Sequence, residues 1–362
     1  MKYSDLLADW LLELNYTHCF VVGGGNIMHL TESLSRKLKC IPVIHEVAAG
    51  IAAEYFNKSS QNNSKALALV TAGPGITNII TAIAGAFLES RELLVIGGQV
   101  KTSDLSNAKL RQRGIQEIDG VSIIKPISVN SSILTNTINQ NKFNKIITTN
   151  HHARKGPIFL EIPIDIQAKN VDFKINSTTY LPKSSRKISD HDLNYIISKL
   201  NNSKRPSLLI GGGVSRVVVK EIESFLKSLR IPIFTTWNGA DRITTDYKNY
   251  MGRPNTWGQR SSNIILQQSD LLVAVGSRLG MQQTGFNWKS FLPGGEIIQI
   301  DIDKSELKKG HPHIKKAIWG DANFFLKELV NKKLFSHDKW LMYAKSIRRM
   351  LPLIEPVNKT RK

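Results

Sequence analysis

Between Thr17 and Asp165 short apolar runs bounded by Gly or Pro alternate with stretches of helical spacing. The runs are "HCFVVGGG", "CIPVIH", "ALALVTAGPG", "LLVIGGQV" and "GPIFLEIP"; among them lie "IMHLTESLSRKL", "EVAAGIAAEYF" and "GITNIITAIAGAFLES". Each run is apolar at successive positions and rich in Val and Ile. Both faces of such a strand are buried, which is the habit of parallel sheets covered by helices. The order strand, helix, strand therefore predicts an α/β fold with an open, mostly parallel sheet flanked by helices.

After Asp165 the pattern lapses into "QAKNVDFKINSTTYLPKSSRKISD", polar and Ser- and Lys-rich, and then resumes with "PSLLIGGG", "VVVKEIESFLKSL", "IPIFTT", "SSNIILQQS", "LLVAVGS" and "EIIQIDID". This spacing predicts a second open sheet in a domain of its own. The expected organisation is a first domain over 1–170, a linker over 171–190, a second domain over 191–335 and a basic helical tail over 336–362, where "WLMYAKSIRRML" has helical spacing.

Several function classes fall away on composition. The longest apolar run, "NIITAIAGAFL", is about half of a bilayer span and is followed by Glu89 and Arg91, so no membrane span is expected. Asp5, Asp9 and Glu13 interrupt any signal-like core, which makes "YSDLLADWLLEL" an amphipathic helix and points to a cytoplasmic chain. Cys19 and Cys40 lack the spacing of a zinc site or a disulfide framework and read as reduced core residues. The formal charge of +20 raises nucleic acid as a partner, but the lysines are scattered and no aromatic stripe accompanies them. Nucleic acid is not the expected ligand.

The stretch "CIPVIHEVAAGIAAEYF" poses the chemical question. Glu46 stands where a buried strand meets a tightly packed helix, and desolvation makes a carboxylate expensive there. Either it complements the helix N-terminus or it has a ligand. In the helix that follows, Val47, Ile51 and Tyr55 share a face, while Ala48, Ala49, Ala52 and Ala53 keep the neighbouring faces small enough for close approach to another backbone. Two further loops close strands of the same sheet: "VVGGGN" carries Gly24, Gly25 and Asn26, and "VTAGPGITN" carries Thr71, Pro74 and Asn78. Ligands of open α/β sheets bind at the carboxyl ends of the strands. Met28 occupies the third glycine position of a dinucleotide fingerprint, so "GGGNIM" is not one.

In order along the chain, "HEVAAGIAAEYF", "VTAGPGITN", "GGQV", "RQRGIQEIDGVSIIKPI" and "GPIFLEIPIDIQ" resemble the pyrimidine-binding domain of thiamine-diphosphate-dependent enzymes of the acetolactate synthase type. "GGGV", "IPIFTT", "SDLLVAVGSRLG" and "IIQIDID" resemble the central domain of that family, and the likeness runs as far as "WGDANFFLKEL". The resemblance implies a role for Glu46: a hydrogen bond to N1' of the cofactor's aminopyrimidine, so that the 4'-imino group can remove the C2 proton and the carbanion can attack a 2-keto acid. By the same likeness Gly24, Gly25 and Asn26 would line the cofactor site, with Thr71, Pro74 and Asn78 close by. Gln116 would reach toward substrate, the alternative being a solvated loop amide.

Gly211, Gly213, Arg278 and Asp301 match positions that contact the dinucleotide in flavin-bearing relatives, and Arg278 suits a pyrophosphate by charge. Arg216 and the loops "TTWNGADRIT" and "MGRPNTWGQR" depart from the flavin pattern, so FAD and an empty structural domain both stay open. No metal ligands are expected in this chain. Relatives hold Mg2+ and the diphosphate through Gly-Asp-Gly and Asn of a third domain, which the sequence does not supply after "GDA" at Gly320. The chain is thus expected to bind the pyrimidine half of thiamine diphosphate weakly by itself. Completion would come from a homo-oligomer through the first domain, from a separate diphosphate-domain subunit or from a downstream part of a longer reading frame, acting on a 2-keto acid. The alternative function is a non-catalytic binding or assembly module.

Overall fold

The computed structural model describes residues 1–60, 62–106, 110–149, 154–172, 186–311 and 313–352. Two compact units divide the chain at Lys183 and Ser184. Of the expected linker, residues 173–185 lie outside the described ones, as do residues 353–362 of the expected tail.

The first unit holds six strands: β1 (Tyr16–Val21), β2 (Lys39–Pro42), β3 (Lys65–Val70), β4 (Leu93–Gln99), β5 (Asn130–Ile133) and β6 (Pro157–Pro163). They form one sheet in the order β2-β1-β3-β4-β6-β5, every pairing parallel. Side chains alternate faces along a strand, and β3 shows what each face needs. Leu67 and Leu69 join Leu94, Ile96 and Leu160 beneath Trp10 and Leu30 of the helices Tyr3–Glu13 and Met28–Ser35. Ala66, Ala68 and Val70 face the other way, against Ala49 and Ala53 of the helix Glu46–Ser59 and Ile79 and Ile83 of the helix Pro74–Leu88.

The small residues set the spacing of that second layer. A Cβ placed on Gly50 would lie 2.5 Å from Cβ of Ala82, so the two helices touch nearly backbone to backbone. The helix Glu46–Ser59 turns its small face inward, and Ile51 and Tyr55 are left 45% and 53% exposed. The alanine pattern serves packing within the unit, and Ile51 and Tyr55 lie outside it, the Tyr55 ring against Arg91.

The second unit holds β7 (Pro206–Ile210), β8 (Ile233–Thr235), β9 (Leu271–Val275), β10 (Glu296–Asp301) and β11 (Ile314–Trp319), ordered β11-β10-β9-β7-β8 and again all parallel. The helical stretch 216–228 is broken at Ile222 into Arg216–Glu221 and Glu223–Ser228. The helix Asp338–Met350 docks on this unit through Trp340, Leu341 and Ala344. Both units are α/β, and among the described residues no helix is long and apolar enough to cross a membrane.

Candidate functional site

Three connections meet at the carboxyl edge of the first sheet. The chain leaves β2, hydrogen-bonds Val43 N–H to Val21 O, and enters the helix that starts at Glu46. The cap of that helix is His45, whose Nδ1 accepts from Val47 N–H at 3.2 Å. Glu46 is therefore spare as a capping group, yet only 7% of it is exposed. Its Oε2 accepts from Nδ2 of Asn78 at 2.9 Å.

Glu54, on the same helix and also 7% exposed, shows the ordinary solution for a buried acid: Arg91 pairs with it at 2.8 Å. Among the described residues no lysine or arginine pairs with Glu46. A carboxylate left with one amide at the ligand edge is what a site for a polar heterocycle requires.

The surrounding residues close in from the other two loops. Gly75 is flanked on both sides, since a Cβ there would lie 3.1 Å from Cγ2 of Thr71 and 3.6 Å from Oε1 of Glu46. A Cβ on Gly24 would overlap the Thr71 side chain, which places the β1 loop against the β3 loop. Gly25 has nothing within 4 Å of its missing Cβ. Two buried polar atoms here, Oγ1 of Thr71 and Nδ2 of Asn26, lack a partner among the described residues, although buried polar groups are almost always hydrogen-bonded. Asn26 is fixed through its carbonyl, which accepts from Nε2 of Gln167 at 2.8 Å. Pro74 is the first residue of its helix and Asn78 lies one turn on.

Gln116 sits over this edge with φ of 63°, and it meets Gly73, whose φ of 65° only glycine adopts without strain. A Cβ on Gly73 would fall 2.5 Å from the carbonyl oxygen of Gln116. The loop is held by its neighbour Glu117. Burial pushes that carboxyl up, but the N–H groups of Ser106, Arg113 and Gly114 outweigh it and hold the pKa at about 2.

Below the loop, Nε2 of Gln99 donates to Ile118 O at 2.9 Å and to Oε1 of Glu161 at 3.1 Å. Burial, and then the charge of Asp119, push Glu161 to about 8. Sequence reasoning missed this acid as a feature, though a lone charge in the run "PIFLEIP" marks it.

The residues expected at the second sheet are arranged differently. N–H of Gly211 donates to Val275 O and N–H of Gly213 to Gly276 O, each at 2.9 Å. Val214 N–H donates to Gly211 O, and Ser215 N–H to Oδ1 of Asn323 at 2.7 Å. Asp301, pushed up to about 6 chiefly by burial, accepts from Asp303 N–H, and Arg278 is exposed. Four of the loop's amides are thus spent on the protein itself, while Gly212 N–H donates to no partner among the described residues.

Two family models match the chain: the N-terminal thiamine-pyrophosphate-binding domain of thiamine pyrophosphate enzymes over residues 1–123, and the central domain of the same enzymes over 193–329. Among curated proteins the chain is similar to the acetolactate synthase large subunit of Corynebacterium glutamicum, 30% identical, with 97% of this chain and 57% of the relative covered. The large subunit of acetolactate synthase isozyme 1 of Escherichia coli is 28% identical over 85% of this chain and 54% of its own length. A probable acetolactate synthase large subunit of Methanocaldococcus jannaschii is 28% identical over 98% and 61%. The chain thus spans about half to three fifths of the length of these relatives.

Proposed function

The chain belongs to the thiamine pyrophosphate enzymes, of acetolactate-synthase-like type, and from that membership we propose that its first unit binds the aminopyrimidine end of thiamine diphosphate at the edge formed by the β1, β2 and β3 loops. The observation that carries the reading is Glu46, buried, unneutralised and spare as a helix cap. Asn78 fixes one carboxylate oxygen, and the other faces Gly75 and is available to a ring nitrogen. Thr71 and Asn26 offer the polar atoms that lack partners, and Gly24 and Gly25 keep the approach clear.

The bound cofactor would supply the nucleophilic carbon that 2-keto acid decarboxylation and carboligation need. Glu46 would hold the proton balance at the ring nitrogen, and Gln116 would present its amide to the substrate. Among the described residues no group of three His, Cys, Asp or Glu could hold a metal ion. We assign the Mg2+ and diphosphate contacts to residues outside the described ones, on this or another chain, reached across the exposed Ile51 and Tyr55 face of the Glu46 helix. No flavin enters the proposal.

Amide chemical shifts of the labelled chain, titrated with thiamine diphosphate and magnesium, test this. Gly24, Gly25, Glu46 and Asn78 should move together while Gly211 and Gly213 stay still. Shifts confined to the second unit, or none at millimolar ligand, would end the reading.

A further inference from the structure

Cys19 and Cys40 are register partners on the neighbouring parallel strands β1 and β2. Register partners project from the same face of a sheet, and both side chains here belong to the core beneath the Tyr3–Glu13 helix. Cys19 is fully buried, whereas Cys40 is half-buried on the strand at the sheet's edge, so one of the pair is open to a reagent. Parallel neighbours stand about 4.8 Å apart, inside the Cα separation of roughly 4.4–6.8 Å that disulfides span.

We propose that Cys19 and Cys40 are a modification site: a reversible disulfide across β1 and β2, made by exchange with a small oxidised disulfide such as glutathione disulfide. The two thiols are cross-strand neighbours. The adjacent Cys40 thiol and burial push Cys19 up, and the adjacent Cys19 thiol draws Cys40 down. Cys40 is accordingly the attacking thiolate. It bonds to one sulfur of the oxidised disulfide and expels the first thiolate. Cys19 then gives up its proton to a departing thiolate and attacks Cys40 sulfur, displacing the second thiol. Two protein thiols are oxidised, and one external disulfide is reduced to two thiols.

Strand geometry also makes the bond easy to reverse. Side chains of parallel partners leave the sheet nearly parallel, holding Cβ atoms at about the strand spacing of 4.8 Å, where relaxed disulfides average about 3.8 Å. Strained bonds are the labile, regulatory ones. The two strands joined are those leading to Gly24–Asn26 and to Glu46, but the cross-link itself does not depend on the cofactor reading.

The test incubates the native chain with glutathione disulfide, quenches by alkylation and maps peptides. The wild type should lose the mass of its two thiol hydrogens and yield the Cys19 and Cys40 peptides joined, with dithiothreitol restoring both thiols. Cys19→Ala should stop at a glutathione adduct on Cys40, and Cys40→Ser should take up none while folded. A wild type that stops at the Cys40 adduct overturns the proposal. So does one whose cysteines react only once far-UV circular dichroism shows unfolding. The wild-type map decides the matter even where a variant fails to fold.

Discussion

The loops "VVGGGN" and "LLIGGGV" read almost alike, and each closes the first strand of a parallel sheet. Their surroundings differ. In the second loop a Cβ on Gly211 would overlap the backbone of Gly276, and the N–H groups of Gly211, Gly213, Val214 and Ser215 are taken up by Val275, Gly276, Gly211 and Asn323. In the first, the N–H groups of Gly23 and Gly24 donate to no partner among the described residues, and Gly25 looks into open space. Glycines at a strand end permit close approach, and what approaches can be the chain's own backbone. What sets the first edge apart is the combination of spare glycine donors with Thr71, Asn26 and the unneutralised Glu46 beside them, not glycine count.

The sharpest way to break this contrast is to treat the buried acid of each edge alike. Glu46→Gln in the cofactor-loaded assembly should slow hydrogen–deuterium exchange at the cofactor's C2 by on the order of 10²-fold or more, the usual worth of a positioned acid–base group. The melting temperature should not fall, because the variant removes an unneutralised buried carboxylate. Asp301→Asn should leave exchange unchanged. Equal losses from both variants would erase the distinction between the edges.

Glu161 sharpens the picture of what lies under the first edge. Its folded pKa of about 8 stands above the ordinary 4.5. Between those values the folded chain holds a proton that the unfolded chain has released, so stability falls as pH rises through the window. Glu161→Gln keeps an amide in that place without the titration. Relative to wild type it should gain on the order of a few kcal/mol by pH 8, the gain shrinking to nothing below pH 4.5. Urea unfolding at both ends of the window reads the difference, and a constant difference would show that Glu161 is ionised throughout. Glu117 acts in the opposite sense, its contribution being lost as pH falls from 4.5 toward 2.

The glycine loops themselves come next in size. Gly211→Ala should cost about 1–3 kcal/mol by overpacking against Gly276. Gly25→Ala should stay within about 0.5 kcal/mol of wild-type stability, because nothing stands near its Cβ, yet it should weaken thiamine diphosphate binding. Denaturant melts paired with ligand titration check both. Reversed outcomes would exchange the roles of the two loops.

How much of this was legible follows from where each residue's partners lie in sequence. Central strands such as β9, β3 after Lys65 and β4 before Gln99 are apolar at successive positions because both faces are covered, and they declare themselves. The edge strands β5, "NSSI", and β11, "IKKAIW", are half exposed, carry the polar residues that exposure allows, and escaped notice. At the site, Glu46 and its loops stood out as a charge and glycines at strand ends. Sequence could not separate Glu46 from Glu54, since the difference is one ion pair to Arg91, 37 residues away. The two glycine loops were inseparable for the same reason, the closing amide of Asn323 lying 108 residues beyond Ser215.

The smallest effect bears on the unpartnered atoms directly. Thr71→Val replaces the buried, unpaired hydroxyl with a methyl of nearly the same shape. An unsatisfied buried group costs about 1–3 kcal/mol, so the free chain should gain up to about 1 kcal/mol once part of that is recovered. The same substitution should weaken thiamine diphosphate binding by several-fold, because the hydroxyl is no longer there to be satisfied by ligand. Asn323→Ala supplies the counterpart: it strips the acceptor from Ser215 N–H, should destabilise by about 1 kcal/mol and should leave cofactor binding untouched. Thermal melts and titrations on the two variants thus give opposite signs in stability and a loss of binding in Thr71→Val alone. If Thr71→Val destabilises the free chain while binding holds, the hydroxyl has an internal partner and the first edge is as closed as the second.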